Sequence, residues 1–263
     1  MPVLRLTLAY DGTGFAGWAA QPGERTVEGE LSAALERVLG TPVELTVAGR
    51  TDAGVHAWRQ VASVELADEP PERLTRSLNA LTPPEIGVLQ VERAADGFDA
   101  RHDARSRTYC YRILTGPDPD PFEQGRILSW PHRIDRSALE ACAYALRGTH
   151  DFTAFTPTVT EHVRFERDIL LAEIRSGSSA GSRRTLDGSP TGAEPAQTNI
   201  IEFWIEADAF MRHMVRVLVG TILEVASGRR SIDEFKALLE GAPRERAGET
   251  APPHGLYLAV VSY

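Results

Sequence analysis

No apolar run in this 263-residue chain approaches the roughly 20 residues needed to cross a bilayer. The opening stretch MPVLRLTLAYDG also lacks a basic segment followed by a long apolar one, so a cytoplasmic protein without membrane contact is expected. Cysteine is scarce. Cys110 and Cys142 have no metal-ligand spacing and sit in the apolar stretches YCYRI and LEACAYAL, which predicts buried free thiols rather than a disulfide framework or a zinc site. Lysine is nearly missing: of 28 basic residues one, Lys236, is lysine and the other 27 are arginine, a ratio that coding bias also produces and that carries no weight alone. Positive charge is in deficit as well. A formal net charge of −9 opposes a polyanionic partner unless a local basic surface overcomes the bulk repulsion.

With 42% apolar and 25% charged residues, what remains is the composition of an ordinary globular protein, long enough for one large domain or two modest ones. Its arginines are unevenly spread. ARHDARSRTYCYR, Ala100 to Arg112, and FMRHMVR, Phe210 to Arg216, interleave arginine with aromatics or methionine, the mixture that a phosphate-contacting, base-stacking surface uses. A solvated strand edge and an amphipathic helix would read the same way.

Val3–Tyr10 alternates like a strand, and Thr26 to Leu39 places Val27, Leu31, Ala34, Leu35 and Val38 at helical spacing behind a threonine able to cap them. Val43, Leu45 and Val47 alternate, Val61 and Val64 do so loosely, a helix fits Glu72–Leu81 before Thr82-Pro83-Pro84, and Gly87–Val91 is a further strand. The pattern then restarts: strand Arg107–Leu114, helix Arg136–Leu146, strands Ile169–Ile174 and Ile200–Ile205, helices Phe210–Val225 and Ile232–Leu239, and strand Leu256–Tyr263. Two α/β domains follow, over residues 1–98 and 104–263. Ser176–Thr198 is rich in Ser, Gly, Pro and Thr, which predicts a mobile surface insertion in the second domain.

Gly12-Thr-Gly14-Phe-Ala-Gly17 matches a dinucleotide-binding GxGxxG after a strand, but Pro22-Gly23 breaks the helix that would have to receive the pyrophosphate, so no nucleotide cofactor is expected. A different loop holds more chemistry. VAGRTDAGVHAW, Val47 to Trp58, sets Arg50, Asp52 and His56 among small residues. Asp52 could cap its own turn, act as a catalytic carboxylate, or pair with His56 on a metal. The metal option requires a helix, which Gly54 disfavours, and no third ligand is near, so no metal is expected.

GRTDAGVHA resembles the catalytic motif of the tRNA pseudouridine synthase A family, and YDGTGFAGW, RTYCYRI, DFTAF (Asp151–Phe155), FMRHMVR and APPHGLYL agree with that family in the same order across nearly the whole chain. Ala19 stands where many relatives carry glutamine, His102 where an aromatic is usual, and Ser176–Thr198 exceeds the common connection. The resemblance implies an α/β (α+β) fold of two similar domains, each a mixed, mainly antiparallel sheet flanked by helices, with an active-site cleft between them. It also implies isomerisation of uridine to pseudouridine at positions 38, 39 and 40 of the tRNA anticodon stem-loop by a homodimer without cofactor. A non-catalytic RNA-binding protein of the same fold is the alternative. The roles implied are Asp52 as nucleophile or base, Arg216 as its ion-pair partner, Tyr109 as the residue stacked on the target uracil, and Arg50 as an aid to base flipping. A carboxylate in a pocket dry enough to hold a detached base needs such a partner: burial alone raises a carboxyl pKa by up to about 3–5. An arginine about 4 Å away returns about 4 kcal/mol at an effective dielectric near 20, which offsets it.

Overall fold

The computed structural model describes residues 1–117, 120–160, 163–177 and 199–263. Most of the predicted insertion at 176–198 therefore lies outside the described residues. Along the chain the elements are β1 (Val3–Tyr10), α1 (Val27–Leu39), β2 (Leu45–Val47), β3 (His56–Glu65), α2 (Leu74–Leu81), β4 (Ile86–Arg93) and β5 (Ser106–Thr115). They continue with β6 (Leu128–Trp130), α3 (Arg136–Ala145), β7 (Gly148–Asp151), β8 (Glu166–Ser176), β9 (Ile200–Ala207), α4 (Met214–Ala226), α5 (Ile232–Ala237) and β10 (Leu256–Ser262). The chain folds into two compact units. The first holds Met1–Tyr109, Ala207–Ala209 and Tyr257–Tyr263, and the second holds Cys110–Glu206 and Phe210–Leu256. Each is a mixed sheet with helices, as the α/β expectation required.

In the first unit the strand order is β4-β1-β3-β10, with β2 also on β3. β1 runs antiparallel to both β3 and β4, and β10 runs parallel to β3. Leu4, Leu6 and Leu8 of β1 are buried, as are Leu31 and Leu35 of α1 and Leu78 of α2, the period of each element turning one apolar side inward. α1 starts where its cap predicts: Thr26 accepts a hydrogen bond from the Gly29 amide. α2 starts two residues later than expected, because the Leu74 amide closes a turn on the Pro71 carbonyl before the helix begins. Leu8 pairs with Gln60 and Tyr10 with Ala57, so two residues of β3, Trp58 and Arg59, oppose the single Ala9. This bulge brings Gln60 and Ala57 to one face despite their odd separation. A second irregularity, where Thr7 pairs with Gln90 and Leu8 with Val88, leaves Leu89 out of register and 51% exposed.

In the second unit the order is β5-β9-β8-β7, with β6 parallel to β5 and β7 antiparallel to β8. Helix α4 buries nearly its whole length, and Phe155 and Phe235 pack nearby in an edge arrangement. It begins at Met214 rather than Phe210, because His213 has φ 63°, a left-handed conformation that cannot continue into an α-helix, and the Met214 amide closes a turn on Met211. Arg112, Glu123 and Glu202 form a buried cluster: the Arg112 guanidinium donates to both Glu123 oxygens at 2.6 and 3.1 Å and lies 3.5 Å from Glu202. Cys110 and Cys142 are both buried and free. Among the described residues no helix is long and apolar enough to cross a membrane.

Candidate active site

Residues 48–55 hang between β2 and β3 and are pinned along most of their length. At the base the Ala48 amide bonds the Val61 carbonyl, and the Ala48 carbonyl accepts both Nε and Nη2 of Arg107 at 3.1 and 2.8 Å. Gln60, fully buried, donates to the Gly49 carbonyl at 2.8 Å and to the Tyr10 hydroxyl at 3.2 Å. Tyr10 in turn shares a 2.8 Å bond with Thr51, and burial pushes its phenol up to about 12. At the tip the Val55 amide bonds the Asp52 carbonyl, which makes 52–55 a turn with Gly54 at φ 76° rather than a helix.

The glycine-rich segment after β1 is the other wall of this loop. The Trp18 amide bonds the Thr51 carbonyl, the Gly54 amide bonds the Phe15 carbonyl, and the Gly12 amide donates to His56 Nδ1 at 3.1 Å. A Cβ at Gly17 would stand 2.8 Å from the Thr51 oxygen and 3.2 Å from the Ala53 nitrogen, at a φ of 105° that other residues resist. The motif that imitates a dinucleotide loop is thus a close-packed bed for Asp52. Gly17→Ala is expected to cost about 1–3 kcal/mol through forced displacement of residues 51–53. Thermal melting and uridine conversion should fall together.

Within this unit the structure brings three of the predicted residues together. Asp52 is half-buried at the loop tip and Arg50 is exposed beside it. Tyr109, on the first half of β5, is buried, and its hydroxyl lies 3.8 Å from where a Gly49 side chain would begin. Burial raises the Tyr109 phenol well above its usual value, and the Tyr10 phenol and the Asp52 carboxylate raise it further. Asp52 and Tyr109 are thus electrostatic neighbours. His56 is buried, with Nδ1 accepting from Gly12 and lying 3.3 Å from the Asp11 carboxylate, and its ring is stacked on Tyr257. Asp52 and His56 do not share a helix face, and among the described residues no three acidic, histidine or cysteine side chains converge as a metal cluster would.

Arg216, on α4, belongs to the second unit, where it is half-buried. Its Nε donates to the Ala251 carbonyl at 2.8 Å and its own carbonyl accepts the Ala251 amide at 3.0 Å. Its charge also reaches His254, whose pKa is lowered first by burial and then by that guanidinium.

Two arginines of the Ala100–Arg112 cluster are unlike the surface reading. Arg107 spends its donors on the carbonyls of Ala48, Ala104, Asp208 and Arg101, and Arg112 is locked to Glu123. Arg101 and Arg105 stay exposed. Sequence reasoning misses Tyr10, Thr51, Gln60 and Arg107 as the anchors of the loop. The one signal is Gln60 between an arginine and a valine, and a single polar residue in a strand reads equally well as solvent-facing.

A family profile described as tRNA pseudouridine synthase matches residues 7–103 and 142–263. The chain belongs to that family. Its members are isomerases, and this chain is an isomerase with them. It is 42% identical to the "tRNA pseudouridine synthase A" of Frankia casuarinae over 99% of its own length and 89% of that protein's. Proteins of the same name from Xanthobacter autotrophicus, 38% identical with both chains covered in full, and Geobacillus sp., 36% identical over 99% and 98%, are also similar. Within the family match fall Arg50, Asp52 and Arg216; Tyr109 lies in the stretch between the two matched segments.

Proposed function

We propose that this family member converts uridine to pseudouridine in the anticodon stem-loop of tRNA, just 3′ of the anticodon, with Asp52 as the reacting carboxylate. The observation that carries the reading is a half-buried aspartate at the tip of a loop tethered on both sides, with the buried Tyr109 close enough to feel its charge. In the reaction the C1′–N1 bond breaks, the uracil turns within the site, and C5 bonds to C1′. C5 gives up its proton and N1 gains one, so no cofactor is consumed. Asp52 serves either as nucleophile on C1′ or as base on the ribose. Tyr109 stacks on the uracil, exposed Arg50 helps displace the flipped nucleotide, and Arg216 keeps the carboxylate ionised. Extracting the base costs a few kcal/mol, which phosphate contacts and stacking offset. The protein acts in the cytoplasm as a homodimer in which one RNA touches both subunits.

The test is tRNA from a strain lacking this activity, treated with purified protein and mapped chemically for pseudouridine. New signal in the anticodon arm is the expected result. Conversion confined to another arm would reassign the substrate site, and binding without conversion would leave an RNA-binding protein. Conversion is expected to proceed at an unchanged rate in excess chelator, measured against the same preparation without it; a loss restored by added divalent ion would overturn the metal-free mechanism.

A further inference from the structure

The tether on Arg216 is the end of a longer contact. Gly220 and Glu224 stand one and two turns beyond Arg216 on one face of α4, and Thr221 follows Gly220 at that face's edge. Residues 248–251 run along that face. The Gly248 amide donates to Thr221 Oγ1 at 2.9 Å, and the same hydroxyl donates to the Val217 carbonyl at 2.8 Å. A Cβ on Gly248 would stand 3.0 Å from the Thr221 Cα and 2.7 Å from a Glu224 oxygen. A Cβ on Gly220 would stand 3.0 Å from the Glu249 carbonyl carbon and collide with its oxygen, so only glycine admits the segment to this turn of the helix. The segment then reaches Ala251, which grips Arg216 by amide and carbonyl. Beyond it the Pro252 carbonyl accepts the Tyr111 hydroxyl at 2.8 Å, and a Cβ at Gly255 would stand 2.7 Å from the Tyr111 ring. Fixed upstream by Thr221 and downstream by Tyr111, the Ala251 carbonyl cannot slide along the helix.

We propose that Gly220, Thr221 and Gly248 are positioning residues that set the direction of the Arg216 guanidinium by locking residues 248–251 against α4. The inference rests on the reading of Arg216 as the partner of the reacting carboxylate. Glycine inside a helix is otherwise a defect, since it loses more freedom on folding than alanine. Here its lack of a side chain brings a backbone carbonyl to the arginine. With Nε held by Ala251, the chain of side-chain torsions is fixed and the remaining N–H groups point one way. Misplacement of a reacting group by roughly 1 Å costs about 10²-fold in rate, so a device that fixes the arginine is read out in turnover.

The experiment compares Gly220→Ala, Arg216→Ala and the double variant by single-turnover conversion at saturating tRNA, with tRNA affinity and melting temperature alongside. Gly220→Ala is expected to lower the rate by about 10²-fold while affinity changes by less than about threefold. In the Arg216→Ala background the same change should cost no more than about twofold, because the two act through one group. The His254 imidazole, followed by NMR, should titrate higher in Gly220→Ala as the neighbouring positive charge moves away. A wild-type rate in Gly220→Ala, or an equal fold loss with and without Arg216, overturns the proposal. A wild-type rate in Arg216→Ala overturns the underlying assignment of Arg216 instead. Should Gly220→Ala fail to fold, Thr221→Val, which removes the acceptor for Gly248, takes its place in the same cycle. Thr221→Ser is then expected to restore turnover.

Discussion

Asp52→Ala is expected to lower uridine conversion by about 10²–10⁴-fold while leaving tRNA affinity within about twofold and its salt dependence unchanged, since no phosphate contact is lost. The physical reason for separating these effects is the way the loop is held. Its tethers are the Thr51 hydroxyl and carbonyl, the Gly49 and Ala48 carbonyls, the Gly54 amide and the His56 ring. All of these tethers survive removal of the Asp52 side chain, and they should hold the loop to its course when that group is replaced. A second readout is independent of turnover: Tyr109 loses a neighbouring negative charge, so its phenol should titrate lower than in the parent protein, although burial keeps it above an ordinary tyrosine. A variant that converts uridine at the parental rate would end the proposal that this aspartate reacts.

The largest loss of stability is expected at a site with no part in the chemistry. Arg112→Leu strands the fully buried Glu123 carboxylate, with its bidentate partner gone and Glu202 adding a like charge nearby. Removing one member of a buried pair costs about 3–5 kcal/mol, far more than the pair itself contributes. At about 2–4 °C per kcal/mol for a chain of this size, the melting temperature should drop by roughly 10 °C. Replacing Arg112 and Glu123 together by apolar residues should recover most of that loss. Calorimetry on the two variants decides the matter, and a double variant no better than the single would mean that packing rather than charge sets the cost.

Sequence patterns locate elements well where the forces are local. The Thr26 cap and the apolar stripe behind it place α1 to the residue, and the alternation of Val3–Tyr10 places β1. β6 and β7 leave no trace in the sequence, because LSW and GTHD are too short to display a period. The helical spacing runs past the true start of α4 because nothing in FMRHMVR announces a left-handed His213. In the site, the motif containing Arg50 and Asp52 is visible at once, whereas the bed beneath it is not. Gly12 and Gly17 are needed because residues 51–55 press against them from some forty positions away, and no pattern within their own segment encodes that pressure. The arginine clusters mislead differently. Arg107 and Arg101 carry the same letter in one cluster, yet one is consumed by four backbone carbonyls and the other faces solvent.

The bulge at Trp58 and Arg59 makes the site depend on arithmetic as much as on chemistry. Gln60 faces Gly49 because an extra residue separates it from Ala57. Deleting either bulge residue would keep Gln60 opposite Leu8 on the same face, whereas pairing the strand at its present length in ideal alternation would turn the amide that secures the loop to the far side of the sheet. Which face Gln60 takes is therefore set by the bulge and not by the count of residues alone, a distinction that anyone straightening, grafting or recombining this strand would meet before altering a single reacting group.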